Sequence, residues 1–171
     1  ACGAEGEDRL TGPCQSRVML ARSSASAYRG LVTHNDQMTR QRRLIVAAAL
    51  VRPDQKILIQ KRPEGKPMAG LWEFPGGKIE ADEGLAAGLV RELEEELGIN
   101  VLETDLEPFA FTSVAGESDD LILMLYLIRQ WSGEPQALIA DELCWCSVDQ
   151  LTEFDMPPAD VLLVKRLRQV L

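Results

Sequence analysis

The chain has 171 residues, a formal charge of −9 and nearly half apolar residues, which suits one domain with a proper core. The acidic balance excludes a general nucleic-acid binder, which needs a basic face. It does not exclude phosphorylated substrates, because a divalent cation can mediate between carboxylates and phosphates.

Residues 1–37 are rich in Gly, Ser, Ala and isolated charges, with no helical or strand period, and read as a disordered or loosely attached leader. Its acids Glu5, Glu7, Asp8 and Asp36 are cancelled by Arg9, Arg17, Arg22 and Arg29, so the negative charge belongs to the rest. The functional domain is expected over 38–171. Leu44 to Val51 reads as a buried strand, and Ile57 to Gln60 as a second, joined by the turn Arg52-Pro53-Asp54-Gln55. A long loop with Pro63, Gly65, Pro67 and Gly70 follows. Gly84 to Leu97 reads as a helix stopped by Gly98. Phe109 to Val114 and Leu121 to Trp131 read as paired strands, and Leu143 to Val148 as a further short strand. A last helix starts after Pro157-Pro158 and runs to the end. Interspersed strands and helices predict one mixed sheet.

No apolar run is long enough to cross a membrane, and the N-terminus has no continuous apolar signal core. Cys2, Cys14, Cys144 and Cys146 form no CxxC pair and no zinc spacing. They read as free thiols of a reduced, cytoplasmic protein, with Cys144 and Cys146 on one side of a strand. The lone histidine, His34, lies in the leader, so Ser-His and Cys-His nucleophile schemes are excluded for the domain.

The informative segment is the first helix. At about 100° per residue, Leu85, Leu89, Leu93, Leu97, Ala86 and Val90 form one apolar face. Arg91, Glu92, Glu95 and Glu96 cluster beside it, while Glu94 points elsewhere. Like charges three and four residues apart cost roughly 0.2–0.5 kcal/mol per pair. Glu95 and Glu96 also lie near the helix C-terminus, where the dipole disfavours anions. Arg91 can offset part of this cost, and divalent cations, which prefer carboxylate oxygens, the rest. A Glu-rich helix by itself is ordinarily a solvated acidic face. The preceding Pro75-Gly76-Gly77 changes that reading, since the glycines allow close approach to a ligand and can offer a carbonyl to a metal.

Gly77, five residues, Glu83, seven residues, then Arg91-Glu92-Leu93-Glu94-Glu95-Glu96-Leu97-Gly98-Ile99 reproduces every fixed position of the Nudix box. So many positions over so long a window make the match specific. The run Leu71 to Glu80 and the run Trp131-Ser132-Gly133-Glu134-Pro135 resemble the MutT branch, as does Pro157-Pro158-Ala159-Asp160. The likeness extends from about Arg43 to the end of the chain. It implies an α/β/α sandwich with a central mixed sheet. It also implies Mg²⁺- or Mn²⁺-dependent hydrolysis of a nucleoside triphosphate to the monophosphate and pyrophosphate. By this resemblance Gly76, Glu92, Glu95 and Glu96 bind metal, Glu92 also orients or deprotonates the attacking water, and Arg91 orients the carboxylates. Glu83 and Gly77 support the site, and Arg62 contacts phosphate, unless it is an ordinary strand-end arginine. Glu73 and Phe74 line the nucleoside side, unless Phe74 is plain core, and Pro75 borders the substrate. Asp160 reads the base, unless it is a helix N-terminal acid favoured by the dipole. Phosphoryl transfer fits such a site, since it needs positioning and charge neutralisation more than covalent participation.

Two departures bear on the substrate. The MutT branch has another glutamate ligand before the late strand, where this chain has Ile139; Asp141 or Glu142 could substitute only if the loop shifts. Asp160 stands where the MutT pattern has asparagine, which both donates and accepts, whereas an ionised Asp only accepts. An Asp there, and Leu143-Cys144-Trp145-Cys146-Ser147, resemble the related CTP pyrophosphohydrolase branch. A buried, protonated Asp160 would still donate and keep an oxidised purine in play. The leading expectation is therefore a nucleotide-pool enzyme acting on 8-oxo-dGTP or a similar altered dNTP, with a CTP or dCTP pyrophosphohydrolase as its rival. A non-catalytic Nudix module that binds a base or nucleotide is the reading from another class. The intact acidic cluster argues against it. No stable nucleic-acid or membrane partner is expected.

Overall fold

The computed structural model describes residues 41–116 and 119–171. The leader expected over 1–37, with Cys2, Cys14 and His34, lies outside the described residues.

Strand β1 (Gln41–Leu50) and β2 (Ile57–Lys61) follow the two apolar runs. Two very short strands, β3 (Trp72–Glu73) and β4 (Gly76–Lys78), follow the proline- and glycine-rich loop. Helix α1 (Leu85–Leu97) precedes β5 (Glu107–Ala115) and β6 (Asp119–Ile128), then β7 (Glu142–Cys146) and α2 (Pro158–Leu167). The last helix stops at Leu167 instead of running to the end, and β6 ends at Ile128, short of Trp131.

A four-stranded mixed sheet has the order β4-β1-β6-β5, with β1 parallel to β6 and the other pairs antiparallel. The remaining strands form a separate antiparallel sheet, β3-β2-β7. The mixed sheet is as expected; the division of strands between two sheets is not, since strand pairing depends on partners far away in sequence.

Why β1 reads as an unbroken apolar run is plain from the layers. Its side chains alternate between faces, and both faces are covered. Val46, Ala48 and Leu50 pack with Leu89, Leu93 and Leu97 of α1. Ala47, Ala49 and Val51 pack with Leu163, Val164 and Leu167 of α2. The result is the α/β/α sandwich. Cys144 and Cys146 share the α2 side, as their spacing in a strand requires. Burial pushes the Cys146 thiol up to about 12, which makes it an inert core thiol. Among the described residues no helix is long and apolar enough to cross a membrane.

Candidate functional site

Helix α1 buries Leu89, Leu93 and Leu97, which turns the arc carrying Arg91, Glu92, Glu95 and Glu96 away from the core. Gly98 ends the helix in the left-handed region at φ 68° and donates its N–H to the Glu94 carbonyl. Beyond it, the N–H groups of Gln136 and Leu138 donate to the Leu97 and Glu96 carbonyls at 3.0 and 3.1 Å, satisfying carbonyls a helix end leaves unpaired.

Arg91 organises the acidic face. Its Nε and Nη2 donate to the two oxygens of Glu83, each at 2.9 Å, a bidentate pair. Nη1 donates to Glu92 at 3.0 Å and to Glu95 at 3.3 Å, and Nη2 also reaches the Lys78 carbonyl. The guanidinium beside Glu83 holds that carboxyl below its usual range. Arg91 thus supplies the fixed cation that the crowded face needs.

The glycine pair brings β4 against both α1 and β1. A Cβ on Gly76, at φ 143°, would lie 2.2 Å from the Val46 carbonyl oxygen, so no other residue fits there. A Cβ on Gly77 would fall 2.4 Å from the Glu92 carboxyl carbon. Ala48 donates to the Pro75 carbonyl at 2.9 Å, so the adjacent pair Ala47 and Gly76 is the non-bonded kind in the antiparallel ladder. The Gly76 N–H and C=O therefore point away from β1, and the N–H donates to Glu96 Oε2 at 2.9 Å.

Gln60, which nothing in the sequence singled out, reaches the same oxygen: its Nε2 donates to Glu96 Oε2 at 2.8 Å. It is one of two buried polar residues in the described core, the other being Asp160. Its own Oε1 is buried without a partner, at a cost of about 1–3 kcal/mol. Burial lifts the Glu96 carboxyl to about 7, against the lowering effect of the Gly76 and Gln60 donors.

At the other end, Glu73 pairs with Arg62, whose Nε also donates to the Pro67 carbonyl at 2.8 Å. Burial raises Glu73, partly offset by Arg62. Asp160 sits in the first turn of α2 and accepts the Phe74 N–H at 3.2 Å. Burial pushes its carboxyl up to about 7, and the nearby Glu73 adds to the rise.

A cleft of about 650 Å³ joins these two ends, within the size range of small-molecule sites. Gly76, Gly77, Glu92, Glu96 and Gln60 line one part, and Arg62, Glu73, Phe74 and Asp160 another. Lys61, Lys66 and Lys78 also border it, so a strongly acidic chain keeps cations at this surface. Four expected site residues do not line the cleft. Pro75 has its carbonyl in the β1 ladder, Glu83 and Arg91 stand behind Glu92, and Glu95 is half-exposed beside Arg91. Phe74 is both cleft wall and core. Arg62 lies at the Glu73 end, engaged with that carboxylate.

The late loop is held at both of its ends. It is pinned at α1 by Gln136 and Leu138 and at β2 by the Asp141 N–H on the Lys61 carbonyl. This holds Ile139 and Ala140 at the cleft and leaves Asp141 and Glu142 exposed, Glu142 facing Lys61 at 3.9 Å. In this arrangement neither acid lines the cleft.

The model of the NUDIX domain matches residues 41–167. The chain is 38% identical over 120 residues to the CTP pyrophosphohydrolase of Escherichia coli, covering 70% of this chain and 87% of that protein. It is 37% identical over 124 residues to the 8-oxo-dGTP diphosphatase of Haemophilus influenzae, covering 71% and 89%. Among solved structures, the Escherichia coli ORF135 protein superimposes with a TM-score of 0.68 at 34% identity, over 76% of this chain and 91% of that one. A MutT structure from work on Aliivibrio salmonicida and Vibrio cholerae gives 0.63 at 35% identity, over 74% and 97%. The chain belongs to the NUDIX family. Within it, this is a hydrolase of the MutT type, an enzyme acting on phosphoric anhydrides.

Nudix hydrolases generally use divalent metal ions. Among the described residues no three acidic, cysteine or histidine side chains converge as a ready cluster, because Arg91 draws Glu92 and Glu95 while Gly76 and Gln60 draw Glu96. The donor chemistry nevertheless fits a hard cation. It consists of oxygens only, from Glu92, Glu95, Glu96 and a Gly76 carbonyl turned out of the β1 ladder. The absence of a Cβ at Gly77 leaves the Glu92 carboxylate its place against the loop.

Proposed function

We propose that the chain is a Mg²⁺-dependent nucleoside triphosphate pyrophosphohydrolase. It would convert 8-oxo-dGTP or a similarly altered dNTP to the monophosphate and pyrophosphate, in nucleotide-pool sanitation. The observation that carries this reading is one cleft whose lining includes the α1 carboxylates Glu92 and Glu96 and the buried, polar Asp160. Its similarity to 8-oxo-dGTP diphosphatases supports the same reading.

Glu92, Glu95, Glu96 and the Gly76 carbonyl would hold Mg²⁺, with Mn²⁺ an alternative. The ion would neutralise phosphate charge and polarise the reacting phosphorus. Glu92 orients the attacking water and takes its proton. Arg91 keeps the carboxylates apart and aimed, with Glu83 as its counter-ion. Lys61, Lys66 and Lys78 attract the triphosphate. Arg62 and Glu73 border the nucleoside, and Arg62 reaches phosphate only by leaving Glu73. With its carboxyl at about 7, Asp160 is neutral for much of the time near neutral pH. A neutral carboxyl offers one donor and one acceptor, which restores what asparagine would present to a purine.

The same residue favours the second reading, a CTP or dCTP pyrophosphohydrolase. An ionised Asp160 accepts from the amino group that cytosine carries, and the CTP pyrophosphohydrolase of Escherichia coli is a relative at 38% identity. Pyrophosphate release from 8-oxo-dGTP, dGTP, CTP and dCTP with Mg²⁺ separates the two. A kcat/KM for 8-oxo-dGTP well above the others is expected. A preference for CTP or dCTP installs the second reading, and tight binding without turnover of any nucleotide sinks the enzyme reading.

A further inference from the structure

Gln60 occupies a position where an apolar side chain would be expected. It follows Ile57, Leu58 and Ile59, all fully buried, and is itself only 3% exposed. A glutamine has two amide donors and a carbonyl acceptor to satisfy, and here the carbonyl is left without a partner. An apolar residue would carry no such desolvation cost. The amide donates to Glu96, 36 residues away and across from its strand, and its side chain also acts on the neighbouring Glu73 carboxyl.

The arrangement at Glu96 is asymmetric. Oε2 accepts two N–H groups, from Gln60 at 2.8 Å and from Gly76 at 2.9 Å. Among the described residues, its other oxygen receives no hydrogen bond. Two donors from different directions on one oxygen fix the carboxylate's rotation. The Gly76 N–H is backbone in β4 and cannot turn. Gln60 is therefore the side chain that decides whether Glu96 is held by one bond or by two. It also pairs across the sheet with Glu73 in β3, so it stands between the acids of α1 and the Glu73–Arg62 pair.

We infer that Gln60 is a positioning residue for Glu96. Its amide takes up Oε2 and leaves Oε1 as the one oxygen offered to a divalent cation. The inference rests on the metal-site reading above. In metal sites, groups that orient a ligand change metal affinity or activity by about 10–100-fold when removed.

The test uses the full chain and Gln60→Met, which keeps length and volume but has no donor. Mn²⁺ binding is measured by the loss of the free-ion electron paramagnetic resonance signal, and metal-free stability by thermal unfolding. Gln60→Met should raise the Mn²⁺ Kd about 10-fold or more, with the metal-free Tm unchanged or higher because the unpartnered carbonyl is gone. In a Glu96→Gln background the same substitution should leave Kd unchanged, since the effect acts through Glu96. Wild-type affinity in Gln60→Met overturns the inference, as does an equal loss in both backgrounds. Gln60→Thr, whose hydroxyl is too short to reach Glu96, is the second variant. If neither variant folds without metal, Gln60 is a core residue and the positioning role is refuted. Absence of Mn²⁺ binding by the wild-type chain overturns the metal-site reading itself.

Discussion

Asp160→Asn tests the electrostatics of the cleft apart from turnover. Burial raises the Asp160 carboxyl from 3.8 to about 7. The sign follows from proton binding. Well below pH 3.8 the carboxyl is neutral in both states, and folding carries no penalty. As pH rises from 4 towards 7, the unfolded carboxyl ionises while the buried one holds its proton, so stability falls. Above 7 both are ionised and the penalty is complete. A rise of about three pKa units corresponds to roughly 4 kcal/mol, at about 1.4 kcal/mol per unit. Asparagine cannot ionise, and its amide oxygen can accept the Phe74 N–H in place of the carboxylate. Stabilisation of that size in a domain of this length raises Tm by on the order of 10 °C. Thermal unfolding of both proteins should therefore give similar Tm values near pH 4 and a clear advantage for Asp160→Asn at pH 8. Glu96 and Glu73 are raised as well, so the difference between the proteins is the quantity to read. A Tm difference that stays constant from pH 4 to pH 8 would falsify the claim that Asp160 is held near-neutral by burial.

Three further outcomes follow from the same geometry. Glu92→Gln should lower kcat by at least about 100-fold, the usual scale of a lost general base, with an unchanged unfolding curve; near-wild-type turnover would remove Glu92 from the chemistry. Gly76→Ala and Gly77→Ala should part company. The first forces a Cβ onto the β1 backbone and should destabilise by several kcal/mol. The second displaces only the Glu92 carboxylate, so it should fold and lose activity; matching Tm losses in the two would contradict this. Asp160→Asn should shift relative kcat/KM across the nucleotide panel more than it lowers the rate on the best substrate. Unchanged ratios would end the base-reading role.

Much of this molecule is written locally. The recurrence of Leu85, Leu89, Leu93 and Leu97 sets which face of α1 is buried, and so where its acids point, because helical periodicity is covalent geometry. Gly98 marks the helix end for the same reason. The box spacing carries the family, and the family match covers residues 41–167. What local pattern could not supply were partners distant in sequence. Gln60 meets Glu96 across 36 residues, and Phe74 meets Asp160 across 86. Two- and three-residue strands have no period to read, so β3 and β4 were hidden in a loop. The backbone bonds that hold the late loop to α1 and β2 likewise join distant segments and could not be read locally. The sequence by itself determined the carboxylate helix and the face its acids occupy, since these rest on spacing along one segment. Only the tertiary structure decided which oxygen of Glu96 is held, that Asp160 is buried, and that one cleft joins the two, because burial and hydrogen bonding arise when separate segments exclude water from each other.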